Sequence, residues 1–277
     1  MRRVKIKDFL IGPGAPLVFI MGPCVIEGEK ETLRTLEGLI KAAEGLKAPF
    51  IFKSSYDKAN RTSVKSYRGP GIKEGLKVLK KAKRLFNVPI LTDVHCRTEV
   101  SSVAEVADII QIPAFLSRQT DLITEASKTG RAINIKKGQF MAPMDVLHSA
   151  KKAEAAGNHD ITITERGVSF GYNNLVVDFR AIPMIRQAGY PVIFDATHSV
   201  QSPGGLGASS GGDRGMARHL ARASAAIGVD GVFMEVHHDP DNALCDGPNS
   251  IALKDIKDIM EELISINGMV KAFGLKK

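Results

Sequence analysis

Short apolar runs rich in Ile, Val and Phe recur along the chain at 17–21, 49–52, 88–92, 109–112, 132–135, 161–164, 191–194 and 231–234. They are apolar at consecutive positions rather than alternate ones, as strands covered on both faces are. Between them the period changes. Segment 31–41 places Leu33, Leu36 and Leu39 at helical spacing, and 73–86 carries Leu76, Leu79 and Leu85 on a basic background. Further helices are predicted at 101–107, 121–128, 143–156, 178–188, 213–227 and 253–266. Strand-like and helical segments alternating in this number predict an α/β fold, a (β/α)8 TIM barrel of the usual ~250 residues. Ahead of it, residues 4–11 followed by Gly12-Pro13-Gly14 predict a short N-terminal β-hairpin within 1–15. A doubly wound open sheet is disfavoured, because no Gly-x-Gly-x-x-Gly turn follows the first strand. No low-complexity linker divides residues 1–277, which read as a single barrel domain.

Composition narrows the function. No apolar run approaches the ~20 residues of a membrane span, and the basic N-terminus has no apolar segment behind it to make a secretory signal. Three widely spaced cysteines, Cys24, Cys96 and Cys245, argue against a disulfide framework and for a reducing cytoplasm. The formal charge of +8 raises nucleic acid as a partner, but the Lys and Arg residues are spread along the chain and no nucleic-acid motif is present. An acidic, phosphorylated small molecule accounts for the sign equally well.

The chemistry collects where the strands end. Such barrels place catalytic groups at the C-terminal ends of strands and in the loops that follow. Those positions hold Cys24 and Glu27; Lys53, Lys58, Asn60 and Arg61; Asp93 and His95; Gln111; Lys136 and Gln139; Glu165 and Arg166; Asp195 and His198; Glu235 and His237. Lys53, Lys58, Arg61, Lys136 and Arg166 form a cationic set suited to phosphate and carboxylate. The competing reading pairs Lys53 and Lys136 with carboxylates in the barrel rim, and a third makes one of these lysines a Schiff-base nucleophile. Cys24, His198, Glu235 and Asp246 form a second set. Their strands, the first, seventh and eighth, are neighbours once the barrel closes, and mixed sulfur, nitrogen and oxygen ligation suits Zn2+ or Fe2+, with Mn2+ also compatible. Adjacent His237 and His238 would point to opposite faces of a strand, so at most one joins a site. Cys96 is expected to be a partly exposed thiol, and His148, His159 and His219 surface residues. The Gly/Ser run 204–212 lacks a P-loop ending, but loops seven and eight of a barrel commonly hold phosphate, which makes Ser210 a candidate.

The motifs themselves are specific. Gly22-Pro-Cys-Val-Ile-Glu27, Lys53-Ser-Ser-Tyr-Asp-Lys-Ala-Asn-Arg-Thr-Ser63, Tyr67-Arg-Gly-Pro-Gly71, Thr92-Asp-Val-His95 and Ile112-Pro-Ala-Phe115 occur in order. So do Arg118-Gln-Thr-Asp121, Asn134-Ile-Lys-Lys137, Phe170-Gly-Tyr172, Asn174-Leu-Val-Val-Asp178 and Phe194-Asp-Ala-Thr-His198. Together they resemble the 3-deoxy-D-manno-octulosonate 8-phosphate synthases, also called 2-dehydro-3-deoxyphosphooctonate aldolases, over nearly the whole chain. The resemblance implies a (β/α)8 barrel, usually a homotetramer, that condenses phosphoenolpyruvate with D-arabinose 5-phosphate on the route to lipopolysaccharide.

It also implies roles. Lys53, Lys58, Gln111, Lys136 and Arg166 match the phosphoenolpyruvate site. Asn60, Arg61 and Ser210 match the arabinose 5-phosphate site, and Lys58, Asn60, Asp93, Lys136 and His198 are the expected catalytic residues. Members with Cys at position 24 are metal-dependent, with ligands matching His198, Glu235 and Asp246, whereas members with Asn there work without metal. Cys245-Asp-Gly-Pro-Asn249 resembles the second class, so the chain carries marks of both. The nearest rival is the 3-deoxy-D-arabino-heptulosonate 7-phosphate synthases acting on erythrose 4-phosphate, whose loop resembles Lys-Pro-Arg-Thr-Ser where this chain has Lys58-Ala-Asn-Arg-Thr-Ser63. A catalytically silent sugar-phosphate-binding barrel is the alternative from another class.

Overall fold

A computed structural model describes residues 1–205 and 211–274. The hairpin comes first, with β1 (Val4–Ile6) antiparallel to β2 (Phe9–Ile11). Its turn falls at Lys7-Asp8, where Lys7 takes a φ of 46°. The repeating unit follows: β3 (Val18–Gly22), α1 (Glu29–Ala43), β4 (Phe50–Lys53), α2 (Ile72–Phe86), β5 (Ile90–Asp93), α3 (Val100–Ala104), β6 (Ile109–Ile112) and α4 (Thr120–Lys128). It continues with β7 (Ala132–Lys136), α5 (Val146–Ala155), β8 (Ile161–Glu165), a small hairpin of β9 (Val168–Ser169) and β10 (Leu175–Val176), α6 (Ala181–Gln187) and β11 (Val192–Asp195). A two-residue pair, β12 (Gln201–Ser202) with β13 (Gly211–Gly212), precedes α7 (Arg214–Ile227) and β14 (Gly231–His237). Last come β15 (Ile251–Ala252) and α8 (Ile256–Gly274).

Strands β3 to β8, β11 and β14 run parallel, each bonded to the next, and β14 pairs with both β11 and β3, so the barrel is closed. The predicted strands all lie in it. The helices are shorter than their apolar patterns at α3, α5 and α6, and α8 runs on to Gly274. The β9–β10 and β12–β13 pairs have no counterpart in the sequence reading, because two-residue strands carry no period.

Both faces of the strands are apolar, for two different reasons. Phe19, Met21, Phe52, Ile90, Ile110, Ile133, Ile163, Phe194 and Val232 belong to the large core between sheet and helices. The alternate residues Val18, Ile20, Ile51, Leu91, Ile109, Ala132, Ile193 and Phe233 form a separate cluster inside the barrel, closed by Val4, Ile6 and Ile11 of the hairpin. Period-two alternation then dictates what lies above that plug. Two residues beyond Ile51, Leu91, Ile109, Ile193 and Phe233 come Lys53, Asp93, Gln111, Asp195 and Glu235, and four beyond Ala132 comes Lys136. A polar layer separates plug from charges on one side, where the Asn134 amide donates to Thr162 Oγ1 at 2.9 Å and Thr164 Oγ1 at 2.8 Å.

The hairpin is therefore part of the core. Ile6→Ala, at a position 3% exposed within the plug, is expected to lower unfolding free energy by about 2–4 kcal/mol. Urea unfolding would show this as a lower midpoint at unchanged slope; a loss under ~0.5 kcal/mol, the scale of surface changes, would mean the hairpin sits outside the cooperative unit.

Candidate active site

The inward side chains line a cavity of about 380 Å³ at the C-terminal mouth of the barrel. Lys53, Lys58, Asn60, Arg61, Asp93, Gln111, Lys136, Arg166, His198 and Asp246 all border it. Ser210 lies outside the described residues. His237 and His238 stack on each other, their ring centroids 4.5 Å apart, with His237 facing Glu27 at 3.4 Å and His238 facing Thr35. Neither borders the cavity. Cys96, His148, His159 and His219 are exposed, as expected.

The cationic half is buried and only partly satisfied. Arg166 gives one guanidinium N–H to Gln201 Oε1 at 2.8 Å, while its Nε and Nη1 are buried without a partner among the described residues. Gln111 Oε1 is similarly unpartnered. Burial pushes the Arg166 guanidinium below its ordinary pKa despite the carboxylates around it. Lys53 donates to Ser55 Oγ at 2.8 Å, and Ser55 donates on to Asp93 Oδ1 at 2.6 Å. Lys136 does pair with a carboxylate, Asp195 Oδ2 at 2.6 Å, and lies 4.8 Å from the centre of the Phe233 ring. Burial lowers the Lys136 pKa and the Asp195 charge only partly restores it. For Asp195 the balance runs the other way: burial alone would raise its pKa, but His198 and Lys136 hold it well below the carboxylate range.

The second half is the thiol, imidazole and carboxylate corner. His198 Nδ1 lies 2.8 Å from Asp195 Oδ2, which orients the ring so that Nε2 faces Glu235 Oε1 at 3.3 Å and Asp246 Oδ2 at 3.8 Å. Cys24 Sγ is 3.4 Å from Asp246 Oδ2. Asp246 thus joins two triads, one with His198 and Glu235 and one with Cys24 and Cys245, each with ligand atoms within 4.8 Å of one another. Both Glu235 oxygens are buried and lack hydrogen-bond partners among the described residues, although Lys58 Nζ lies 3.7 Å away. A fully buried carboxylate in this condition, with an imidazole and a second carboxylate beside it, fits a divalent cation.

Local backbone explains how these groups meet. Gly22 ends β3 where a Cβ would stand 2.0 Å from the Lys53 carbonyl oxygen, so only glycine lets the Cys24 loop leave against β4. Val25 and Ser55 then form a parallel bridge that continues the ladder past the strand ends. The loop holding Lys58, Asn60 and Arg61 is clamped at its base by Lys58 N–H donating to Arg68 O at 2.7 Å, and by Arg68 gripping Asp57. Arg61 Nη1 reaches Cys245 Sγ at 2.8 Å and Asp246 Oδ1 at 3.7 Å.

The sequence reading named Asp195 at a strand end without a partner and missed two connecting residues. Ser55 links Lys53 to Asp93; Gln201 links Arg166 to Asp246, donating to its Oδ2 at 3.1 Å; Asp195 links Lys136 to His198. Ser55 and Gln201 lie outside the barrel strands and carry no periodic signal.

The geometry defines a (β/α)8 barrel whose mouth presents buried lysine and arginine side chains beside a corner of thiols, imidazole and carboxylates, the kind of site an enzyme acting on small polyanions has. The chain belongs to the DAHP synthetase I family, whose sequence profile matches residues 2–271. It is 57% identical over 271 residues to the 2-dehydro-3-deoxyphosphooctonate aldolase of Geotalea daltonii, covering 98% of this chain and 100% of that one. Identity is 56% to the protein of the same name from Geotalea uraniireducens, with the same coverage. It is 54% over 270 residues to that of Geobacter sulfurreducens, covering 98% of this chain and 99% of the relative.

One imidazole in the site is shifted by a neighbouring carboxylate. Burial depresses His95, but Asp93 Oδ2 at 3.1 Å from its Nε2, with help from Glu99, outweighs this and raises its pKa above 6.5. The stability this contributes is fully present below the unfolded pKa, about 6.5, and is lost as pH rises through the folded value. His95→Asn is therefore expected to destabilise most near pH ~6, with the gap to the parent narrowing towards pH ~9. Urea titrations across that range check it; a gap independent of pH would mean the imidazole has the same pKa folded and unfolded.

Proposed function

We propose that this chain condenses phosphoenolpyruvate with D-arabinose 5-phosphate and water, giving 3-deoxy-D-manno-octulosonate 8-phosphate and inorganic phosphate for lipopolysaccharide biosynthesis. The observation that carries the reading is the buried Arg166 guanidinium, whose Nε and Nη1 lack partners among the described residues, in one cavity with Lys53, Lys58 and Lys136. Such a cluster needs a compact ligand with more than one anionic group. Asn60 and Arg61 border the same cavity, which supports placing the sugar phosphate there beside the first substrate. The names of the relatives agree with this choice of chemistry.

In this scheme Arg166, Gln111, Lys53 and Lys136 hold the phosphate and carboxylate of phosphoenolpyruvate. Asn60 and Arg61 hold the sugar phosphate so that its aldehyde meets C3, turning a bimolecular step into an effectively unimolecular one. The C2–C3 π electrons form the new C–C bond, water adds at C2, and the resulting hemiketal phosphate expels phosphate by C–O cleavage. Lys58, whose pKa is held well above its ordinary value by Cys24 and Glu235 in spite of burial, is a fixed cation at the junction of the two substrates. Lys136 is paired with Asp195 Oδ2 at 2.6 Å, and the scheme uses it as a counter-charge and needs no Schiff base. Cys24, His198, Glu235 and Asp246 would hold a divalent ion, Zn2+, Fe2+ or Mn2+, supplying Lewis-acid polarisation of the aldehyde or of the attacking water.

The exposed aromatic residues Phe115, Phe140, Phe170 and Tyr172 support assembly as a homotetramer. Light scattering at the mass of one 29.9 kDa chain would sink that part of the reading. Free cysteines support a cytoplasmic setting. Among the described residues no helix is long and apolar enough to cross a membrane.

Phosphate release from the two substrates is the direct test. EDTA-stripped protein is expected to be inactive and to recover on adding Mn2+ or Zn2+; full activity without metal would keep the reaction and remove the ion. Preference for erythrose 4-phosphate would move the chain to the heptulosonate reaction. In the same assay Arg166→Lys, which loses the planar fork, is expected to raise KM for phosphoenolpyruvate by about one to two orders of magnitude.

A further inference from the structure

The proposed reaction asks for one thiol at the metal corner, and the protein supplies two. Cys24 follows β3, and Cys245 lies in the loop after β14, immediately before Asp246. Asp246 has a φ of 50°, in the left-handed region. This turn brings consecutive side chains, the Cys245 sulfur and the Asp246 carboxylate, onto the same neighbour: Cys24 Sγ lies 2.8 Å from the first and 3.4 Å from the second. Both cysteines are free and 3% exposed, and they form a small cluster of their own with Val25, against which Tyr67 packs. A disulfide needs its sulfurs at about 2.05 Å, so closure asks for a shift of less than about 1 Å.

We propose that Cys24 and Cys245 are a peroxide-reactive modification site that closes to a disulfide and withdraws Cys24 from the metal corner. Cys245 borders the cavity and Cys24 does not, so a small oxidant arriving through the mouth meets Cys245 first. Its sulfur attacks hydrogen peroxide: an S–O bond forms, the O–O bond breaks, and the departing hydroxide leaves as water with the thiol proton. Cys24 Sγ then attacks the sulfenic sulfur; the S–S bond forms, the S–O bond breaks, and hydroxide leaves with the Cys24 proton as a second water. The sulfurs lose two electrons and the peroxide gains them. Only His198, Glu235 and Asp246 then remain for an ion. Bond closure stands on the sulfur geometry alone; its effect on metal rests on the proposed ligand set.

The test uses the full-length Cys96→Ser protein, which leaves two of the three cysteines and removes the exposed one. EDTA-stripped protein is treated with hydrogen peroxide, denatured in alkylating reagent and examined by thiol titration and mass spectrometry. The expected result is a fall from two free thiols to none and a loss of about 2 Da. A cross-link within one chain between the Cys24 and Cys245 peptides, reversed by dithiothreitol, completes it. Thiols that stay free, separate sulfinic acids or links between chains would overturn the proposal. Prior saturation with Zn2+ is expected to slow cross-linking at least tenfold. A cross-link forming at the same rate with and without Zn2+ would uphold the pair and defeat the assignment of Cys24 as a ligand.

Discussion

The hydrogen-bonded ladder between β14 and β3 is the constraint on which the rest of the site depends. It runs from Gly231 opposite Val18 to Glu235 opposite Gly22, and it joins the last strand of the barrel to the first. In an open sheet those strands would lie at opposite edges, and the loops bearing Cys24 and Asp246 would be separated by the whole sheet. Closure removes both edges and makes a thiol near the start of the chain the neighbour of carboxylates near its end. Gly22 is part of the same constraint, since a side chain there would collide with the Lys53 carbonyl just where the Cys24 loop departs.

Closure also forces the electrostatics. A charge aimed inward above the apolar plug has little water to meet, and isolated burial of this kind is costly. The protein offsets it by linking charges in chains: Lys136 with Asp195 and His198, Lys53 with Ser55 and Asp93, Lys58 with Glu235. Among the described residues, the Arg166 Nε and Nη1, Gln111 Oε1 and Gln139 Oε1 are buried polar atoms without a hydrogen-bond partner on residues that border the cavity. Polar groups held rigid and dry before a ligand arrives need no reorganisation when it does, which is the physical basis of electrostatic preorganisation.

The two halves of the mouth are mechanically joined. Gln201 accepts from Arg166 and donates to Asp246, so the buried guanidinium and the carboxylate beside the thiols share a single amide. Arg61 makes a second connection, lying against both Cys245 and Asp246.

By itself the sequence determined the barrel, since eight apolar runs alternating with amphipathic helices admit few other folds, and the order of polar groups at strand ends marked Lys53, Asp93, Gln111, Lys136, Arg166, His198 and Glu235 as one mouth. These are local facts of period and position, legible from neighbours in the chain. The partnerships were not legible. That Lys136 spends its charge on Asp195, that Ser55 and Gln201 are the connectors, and that Cys245 turns onto Cys24 depend on loop conformations such as the left-handed Asp246, and on contacts between residues as far apart as 221 positions. Tertiary structure alone decides such pairs, because side-chain distance across a closed barrel is set by strand register and loop turn, neither of which leaves a pattern along the chain.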